Sequence, residues 1–238
     1  VGNWPGVTVE KKEGKLRFGG DEYRIVDLPG TYSLTAYSQD EVVARNFIVM
    51  DKPDLVVNVV DASAIERNLY LTIQLLEMGT KVIIALNMID EAENKGIKID
   101  VNSLEKKIGV PIVPLVASKQ SGINDLKAKI AEAVHGQMPP SVKITYGPAI
   151  DSAISSLSQI ITESGISGDY PPNWLALKLL ENDRYIMDYI EKESLEVANK
   201  AKICINDLKT SLGIEPEIAI IDKRYEFINE IVKDCVKQ

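Results

Sequence analysis

The chain has 238 residues, of which 45% are hydrophobic and 26% are charged. This balance is ordinary for a globular protein and leaves room for one large or two modest domains. The formal net charge is −8 and no Lys/Arg tract occurs, so we expect no nucleic acid among the partners. The two cysteines, Cys204 and Cys235, build no disulfide framework and are expected to be buried in helices. No apolar run reaches about 18 residues, so the sequence predicts a cytosolic chain without a membrane-spanning helix.

The first strands form a predicted hairpin. A strand begins near Thr8, after a stretch rich in glycine and proline. Apolar and polar residues alternate over residues 15–18, and Gly19-Gly20-Asp21 then makes a turn into a strand over residues 23–27. This strand runs into Asp27-Leu28-Pro29-Gly30, which we expect to place a carboxylate at the carboxyl end of a buried strand.

An Asp followed three residues later by Gly offers a carboxylate to a metal ion and a backbone N–H to a phosphate. In isolation, this pattern occurs in many ordinary turns. We hypothesise that Asp27 holds Mg²⁺ through water, that Thr8 places its hydroxyl and carbonyl at Mg²⁺, and that Gly30 N–H faces a γ-phosphate. Thr8 and Gly30 are therefore the catalytic candidates.

Strands alternate with helices downstream of this turn. Nearly continuous apolar runs predict strands covered on both faces, at residues 55–60, 82–86 and 112–116. Apolar residues at helical spacing follow each run, at residues 65–76, 104–108 and 123–134. A further helix is predicted over residues 39–50. The order predicts an α/β fold with a doubly wound, mostly parallel sheet, preceded by the antiparallel hairpin.

Two of these strands end in residues suited to reading a guanine base. An Asp90 carboxylate after strand 82–86 can accept both N1–H and the exocyclic N2–H of guanine, which adenine cannot reproduce. Asn87-Met88-Ile89-Asp90 is equally suited to capping the next helix. After strand 112–116, the small Ala117 lets a backbone N–H reach the carbonyl oxygen of the base, and Ser118-Lys119 support that loop. Each motif alone is weak, but the ordered set indicates a guanine-nucleotide site formed by Asn87, Asp90, Ala117 and Ser118.

The alternation stops after residue 138. Gln137-Met138-Pro139-Pro140 breaks the pattern, so we predict an α/β domain over residues 1–138 and an all-α domain over residues 139–238, with no further strand. Apolar stripes predict helices at residues 150–161, 174–180, 185–190, 195–212 and 221–235. His135 is assigned a helix-dipole contact rather than a ligand role. No metal-ligand spacing occurs in the helical half, which favours a packing and coupling role there.

The ordered motifs resemble those of a Ras-type small GTPase, and more closely those of the FeoB family of ferrous-iron transporters. The first twelve residues are similar to that family's first switch, Asp-Leu-Pro-Gly-Thr-Tyr-Ser-Leu to its second, and Arg224-Tyr225-Glu226-Phe227-Ile228 to the end of its helical domain. The resemblance implies a GTPase (G) domain and a helical domain that precede a transmembrane iron pathway, at the cytoplasmic face of the membrane. It also implies GTP/GDP, Mg²⁺ and a K⁺ held by backbone carbonyls of Gly2 and Trp4. Homo-oligomerisation is left open, and Thr31 stands where Ras has a catalytic Gln.

The chain departs from the family pattern in one respect. The phosphate-binding loop Gly-x-x-x-x-Gly-Lys-Ser/Thr, expected before Thr8, does not occur in these 238 residues. With it would come the first strand, which lies between the strand ending at Asp27 and the strand ending at Val60 in the Ras-like order. We expect that an N-terminal piece precedes Val1 in the molecule.

Two functions remain open on these grounds. The first is a GTP-binding and GTP-hydrolysing regulatory domain of a ferrous-iron transporter that cycles through two switch loops. The second is a GTPase-like interaction module that lacks the phosphate loop and does not hydrolyse GTP. A ribosome-assembly GTPase shares the motifs but would bring a basic RNA-binding appendage, which the acidic helical half is not.

Overall fold

The computed structural model describes residues 2–4, 10–35, 38–136, 138 and 142–237 of the chain. The strands are β1 (Gly2–Asn3), β2 (Glu10–Phe18), β3 (Asp21–Asp27), β4 (Val56–Asp61), β5 (Val82–Asn87), β6 (Lys98–Ile99), β7 (Ile112–Pro114) and β8 (Val236–Lys237). The helices are α1 (Gln39–Met50), α2 (Ile65–Glu77), α3 (Ile89–Asn94), α4 (Val101–Ile108), α5 (Ile123–His135), α6 (Pro148–Ser164), α7 (Pro172–Leu180), α8 (Arg184–Glu193), α9 (Leu195–Leu212) and α10 (Pro216–Cys235).

The chain divides into two compact units. The first comprises Val1–Lys143 together with Ile228–Gln238, and the second comprises Ile144–Phe227. The first unit contains the strands and α1 to α5, and the second contains α6 to α9 with the first turns of α10. The predicted α/β fold followed by a helical region is thereby confirmed, whereas the proposed break after residue 138 stays a prediction.

Within the residues that the structure describes, no helix combines the length and apolar character needed to cross a membrane.

The parallel sheet of the first unit has the order β4-β5-β7. β5 lies in the middle, and its residues 82–86 are at most 1% exposed, as expected for a strand covered on both faces. Helix α2 packs against β4 and β5, while α4 and α5 pack against β7. Ile83, Val113, Ile130 and Ala133 form a buried cluster at the centre of this packing.

The hairpin β2-β3 forms a separate antiparallel sheet with β1. Our prediction that the strand ending at Asp27 is buried is wrong, because residues 21–27 of β3 are exposed or only half-buried. The physical reason is that, within the part of the chain that the structure describes, β3 pairs with β2 alone and its other edge has no hydrogen-bonded strand. A cavity of about 1080 Å³ lies there, lined by β3, by β4 and by side chains of α1, α2 and α5.

β8, the short strand that follows α10, forms a small antiparallel pair with β6. The prediction that no strand follows residue 138 is therefore wrong. Each of these strands has two residues, which is too short to show the alternation of apolar and polar residues by which a strand is predicted from sequence. The pair is supported by Asp100 N–H, which donates to the carbonyl of Cys235 (2.8 Å).

All five helices predicted in the second half are confirmed, with α10 beginning earlier than its apolar stripe. The core of the second unit contains Trp174, which is 1% exposed, together with the buried apolar residues of α6 to α9. Charged side chains are also buried in this unit, among them Lys178, Glu181 and Arg224. Lys178 Nζ lies 2.8 Å from Glu181 Oε2, and Arg224 forms an ion pair with Glu181.

Candidate functional site

The pairing of β5 with β7 brings the two predicted guanine motifs together. The two strands are parallel and in register, with Leu86 opposite Pro114, so their carboxyl ends lie side by side. Asn87 Oδ1 accepts a hydrogen bond from Ala117 N–H (3.0 Å), although 30 residues separate them. The side chain of Asn87 therefore fixes the loop after β7 against the end of β5.

Asp90 lies in the first turn of α3, the helix that follows β5. Met88 adopts a left-handed backbone (φ 62°) that turns the chain from β5 into α3. Asp90 Oδ2 pairs with Lys119 Nζ at 2.6 Å, and Oδ1 accepts from Glu91 N–H at 3.0 Å. The hydrogen bond from Lys119 lowers the pKa of Asp90 below its ordinary value, so the carboxylate stays ionised at neutral pH. The lysine pairing was not anticipated, since the sequence analysis gave Lys119 only a loop-supporting role.

The loop that carries Ala117, Ser118 and Lys119 is a short 3-10 turn. It is closed by a bridge between Val116 and Ser121. Gly122 then adopts φ +79°, and a Cβ there would lie 2.4 Å from the carbonyl oxygen of Pro114. Only glycine fits this position. The turn from the loop of Ala117, Ser118 and Lys119 into α5 therefore depends on Gly122.

The Asp27-Leu28-Pro29-Gly30 turn leaves the end of β3 and lines the large cavity. Asp27 and Gly30 are both exposed, and no atom lies within 4 Å of a Cβ built on Gly30. A side chain at position 30 would therefore meet no neighbouring atom. Among the residues that the structure describes, no group of three or more His, Cys, Asp or Glu side chains lies close enough to hold a metal ion.

Trp4 connects the beginning of the chain to this turn. Its indole is 6% exposed and packs edge-on against Phe47 of α1, with ring centroids 5.3 Å apart. Val43 completes the cluster, and Leu28 packs against it. The side chain of Trp4 is thereby fixed in the same cluster that Leu28, the residue after Asp27, packs against. Thr8, the other predicted residue of this region, lies outside the described residues.

The loop after Gly30 is fixed by side chains that the sequence analysis did not single out. Thr31 Oγ1 donates to the carbonyl of Ser33 at 2.6 Å, and Ser33 Oγ donates to Glu41 at 2.5 Å. Glu41 also completes a capping box with Ser38 at the start of α1. The spacing Ser38-x-x-Glu41 is typical of a capping box and would have identified the contact between Ser38 and Glu41.

His135 does more than end α5. Its Nε2 lies 2.9 Å from Asp21 Oδ2, and its ring meets Tyr23 of β3 at 6.4 Å between centroids. The assignment of a helix-dipole contact missed these partners, because they are more than 110 residues away in sequence. The contact joins α5 to the hairpin within the first unit.

Comparison with known proteins gives two family matches. The family described as ferrous iron transport protein B matches residues 1–130, and the family described as FeoB cytosolic helical domain matches residues 146–237. The chain is also 46% identical over 240 residues to the Fe(2+) transporter FeoB of Methanocaldococcus jannaschii. The chain belongs to the FeoB family.

The chain spans 35% of the length of that FeoB relative, which in turn covers 100% of the chain. Solved FeoB cytosolic domains share the fold. An S. thermophilus NFeoB mutant bound to GDP has a TM-score of 0.86 at 34% identity, over 99% of this chain and 89% of that one. The T. maritima domain in its GMPPNP form has a TM-score of 0.82 at 33% identity, over 99% and 88% of the two chains. The match covers the N-terminal G domain and the helical domain of FeoB.

Proposed function

We propose that this chain is the regulatory part of a ferrous-iron transporter, in which the G domain binds and hydrolyses GTP and the helical domain couples to iron movement. The observation that carries the proposal is the corner formed by Asn87, Asp90 and Ala117 at the ends of β5 and β7. The structures of FeoB relatives with GDP and with GMPPNP support a guanine nucleotide as its ligand. The partner of the whole protein would be its own transmembrane iron-transport domain, at the cytoplasmic face of the membrane.

In this proposal each residue of the corner has a distinct task. The ionised Asp90 accepts N1–H and N2–H of guanine, a two-point charged contact that excludes adenine. Asn87 keeps the loop after β7 in place through Ala117 N–H, and Ala117 and Ser118 border the base. Lys119 holds the carboxylate of Asp90 in position through its ion pair.

Asp27 and Thr8 would hold Mg²⁺, and the donor set fits that ion. Mg²⁺ commonly keeps several waters and takes one or two carboxylates together with phosphate oxygens, so a single exposed Asp27 suffices. The ion would neutralise charge on the phosphates. Carbonyls of Gly2 and Trp4 would hold K⁺, and Trp4 itself is fixed by its packing against Phe47.

The hydrolytic step would depend on backbone groups of the second switch. Gly30 is exposed and lines the cavity, and its N–H would donate to the γ-phosphate. Thr31, which replaces the glutamine of Ras, already donates its hydroxyl proton to the carbonyl of Ser33. Its hydroxyl proton is therefore engaged, which favours positioning of the attacking water by backbone groups.

The test uses this chain joined at its N-terminus to a strand and a phosphate-binding loop Gly-x-x-x-x-Gly-Lys-Ser/Thr, which we call the extended protein. We expect it to release phosphate from GTP in K⁺, and to do so about tenfold more slowly in Na⁺ at equal ionic strength. A smaller ion fits a carbonyl cage poorly, and GDP affinity should change little because GDP lacks the γ-phosphate.

Two outcomes would contradict parts of this account. Equal turnover in the two salts would remove the K⁺ assignment to Gly2 and Trp4. Tight GTP binding without phosphate release in either salt would contradict the hydrolytic part of the proposal.

A further inference from the structure

Helix α2 holds the loop that follows Gly30 at two points. Arg67 and Gln74 are seven residues apart on α2, so they lie on the same face, roughly 10.5 Å apart along the helix axis. Arg67 contacts Tyr32, and Gln74 contacts Leu34. One face of one helix thus reaches two residues of the second switch.

The contact at Gln74 is buried and short. Gln74 Oε1 accepts a hydrogen bond from Leu34 N–H at 2.7 Å, and both residues are 1% exposed. Among the described residues, Gln74 Nε2 has no hydrogen-bond partner. A buried amide with half its groups unsatisfied is unfavourable for packing alone, so the acceptor that it offers to Leu34 is the reason for a glutamine here.

The contact at Arg67, in contrast, is exposed to solvent. Its guanidinium lies 3.8 Å from the centroid of the Tyr32 ring, but Tyr32 is 56% exposed. Cation–π contacts at exposed sites are weak, and they break without leaving a buried group unpaired. The loop therefore has one strong anchor at Leu34 and one releasable contact at Tyr32, with Gly30 just ahead of both.

We propose that Gln74 is a positioning residue of the second switch. It fixes Leu34 whichever nucleotide is bound, so that movement of the loop is confined to residues 30–33 and Gly30 N–H returns to one place. Arg67 holds Tyr32 in the conformation seen here and releases it when the loop moves. The effect on GTP hydrolysis rests on the proposed function. The hydrogen bond between Gln74 and Leu34 is a property of the folded chain and does not depend on that function.

The test compares two variants of the extended protein that each remove one buried hydrogen bond from α2. Gln74→Met removes the acceptor for Leu34, whereas Thr72→Val removes the acceptor for Asn58 Nδ2 (2.8 Å) and does not touch the loop. Thr72 is also fully buried, which makes it a matched control. Amide hydrogen exchange is measured at Leu34, and single-turnover GTP hydrolysis and GDP affinity are measured in parallel.

We expect Gln74→Met to speed exchange at Leu34 by about 30-fold and to slow GTP hydrolysis about tenfold, with GDP affinity within about twofold. Thr72→Val should leave exchange at Leu34 and the hydrolysis rate near their parent values. Equal effects of the two variants would reduce Gln74 to an ordinary core residue and overturn the proposal.

A measurement on the parent covers the case in which Gln74→Met does not fold. Exchange at Leu34 should be equally slow with GDP and with a non-hydrolysable GTP analogue, while exchange at Tyr32 differs between them. Fast exchange at Leu34 in either state would contradict the anchor. If the parent binds no nucleotide, the proposed function fails, and slow exchange at Leu34 in the parent alone then supports the anchor.

Discussion

Glu181→Gln is expected to lower the free energy of unfolding of the helical unit by roughly 3–5 kcal/mol, the usual cost of breaking a buried ion pair by removing one partner. Glu181 lies between two buried cations, Lys178 at 1% and Arg224 at 0% exposure. Without the carboxylate charge, both buried cations lose the partner that compensates them. Denaturant unfolding followed by Trp174 fluorescence measures the effect.

The matched control is Glu196→Gln, which breaks the exposed pair with Lys200 at 2.7 Å and should leave stability essentially unchanged. Similar midpoints for both variants and the parent would show that the buried triad contributes nothing to stability.

The same carboxylate predicts an acid dependence. Burial alone would raise the pKa of Glu181, but the charges of Lys178 and Arg224 outweigh it and hold the pKa at about 2. Because the folded pKa lies below the ordinary carboxyl value, the stabilisation is complete above about pH 4.5 and is lost as the pH falls toward about 2. Glu181→Gln should lack this part of the acid dependence. Identical stability curves between pH 5 and 2 for parent and variant would contradict the assignment.

Asp90→Asn in the extended protein is expected to lower GDP affinity roughly 100-fold and to favour xanthosine diphosphate. A carboxamide cannot accept both guanine protons, but its N–H can donate to the additional carbonyl of xanthine. The competing interpretation is that Asp90 only caps α3 through Glu91 N–H. In that case the nucleotide preference would not change.

Asp100→Asn is the control for this experiment. Asp100 caps α4 by accepting from Ser103 N–H at 3.0 Å, so the substitution is chemically identical but lies at a different helix. Competition binding with fluorescent GDP measures both variants. Unchanged GDP affinity in Asp90→Asn, or equal losses in both variants, would remove Asp90 from base recognition.

The sequence predicted that Asn87 and Ala117 follow neighbouring strands, because the patterns that identify those strands are local. The apolar runs over residues 82–86 and 112–116 identify two buried strands, and parallel strands place their carboxyl ends at one edge. From this arrangement alone, Asn87 and Ala117 are expected to lie close together. The hairpin was equally accessible, because Gly19-Gly20 specifies its turn.

Contacts between distant residues were not accessible in this way. Gln74 and Leu34 are 40 residues apart, and nothing in the spacing of α2 distinguishes a buried glutamine that accepts a hydrogen bond from a solvated one. Lys178 lies within an apolar helix, where a single lysine ordinarily marks the solvent face, yet it is buried against Glu181. The exposure of β3 was missed for a third reason, since strand composition does not reveal whether an edge has a partner.

The central claim is that the corner of Asn87, Asp90 and Ala117 reads guanine, and calorimetric titration of the extended protein with GDP and with ADP tests it most directly. The account predicts that GDP binds at least about 100-fold more tightly, because ADP offers no pair of protons to the ionised Asp90. Equal affinities for GDP and ADP would contradict it.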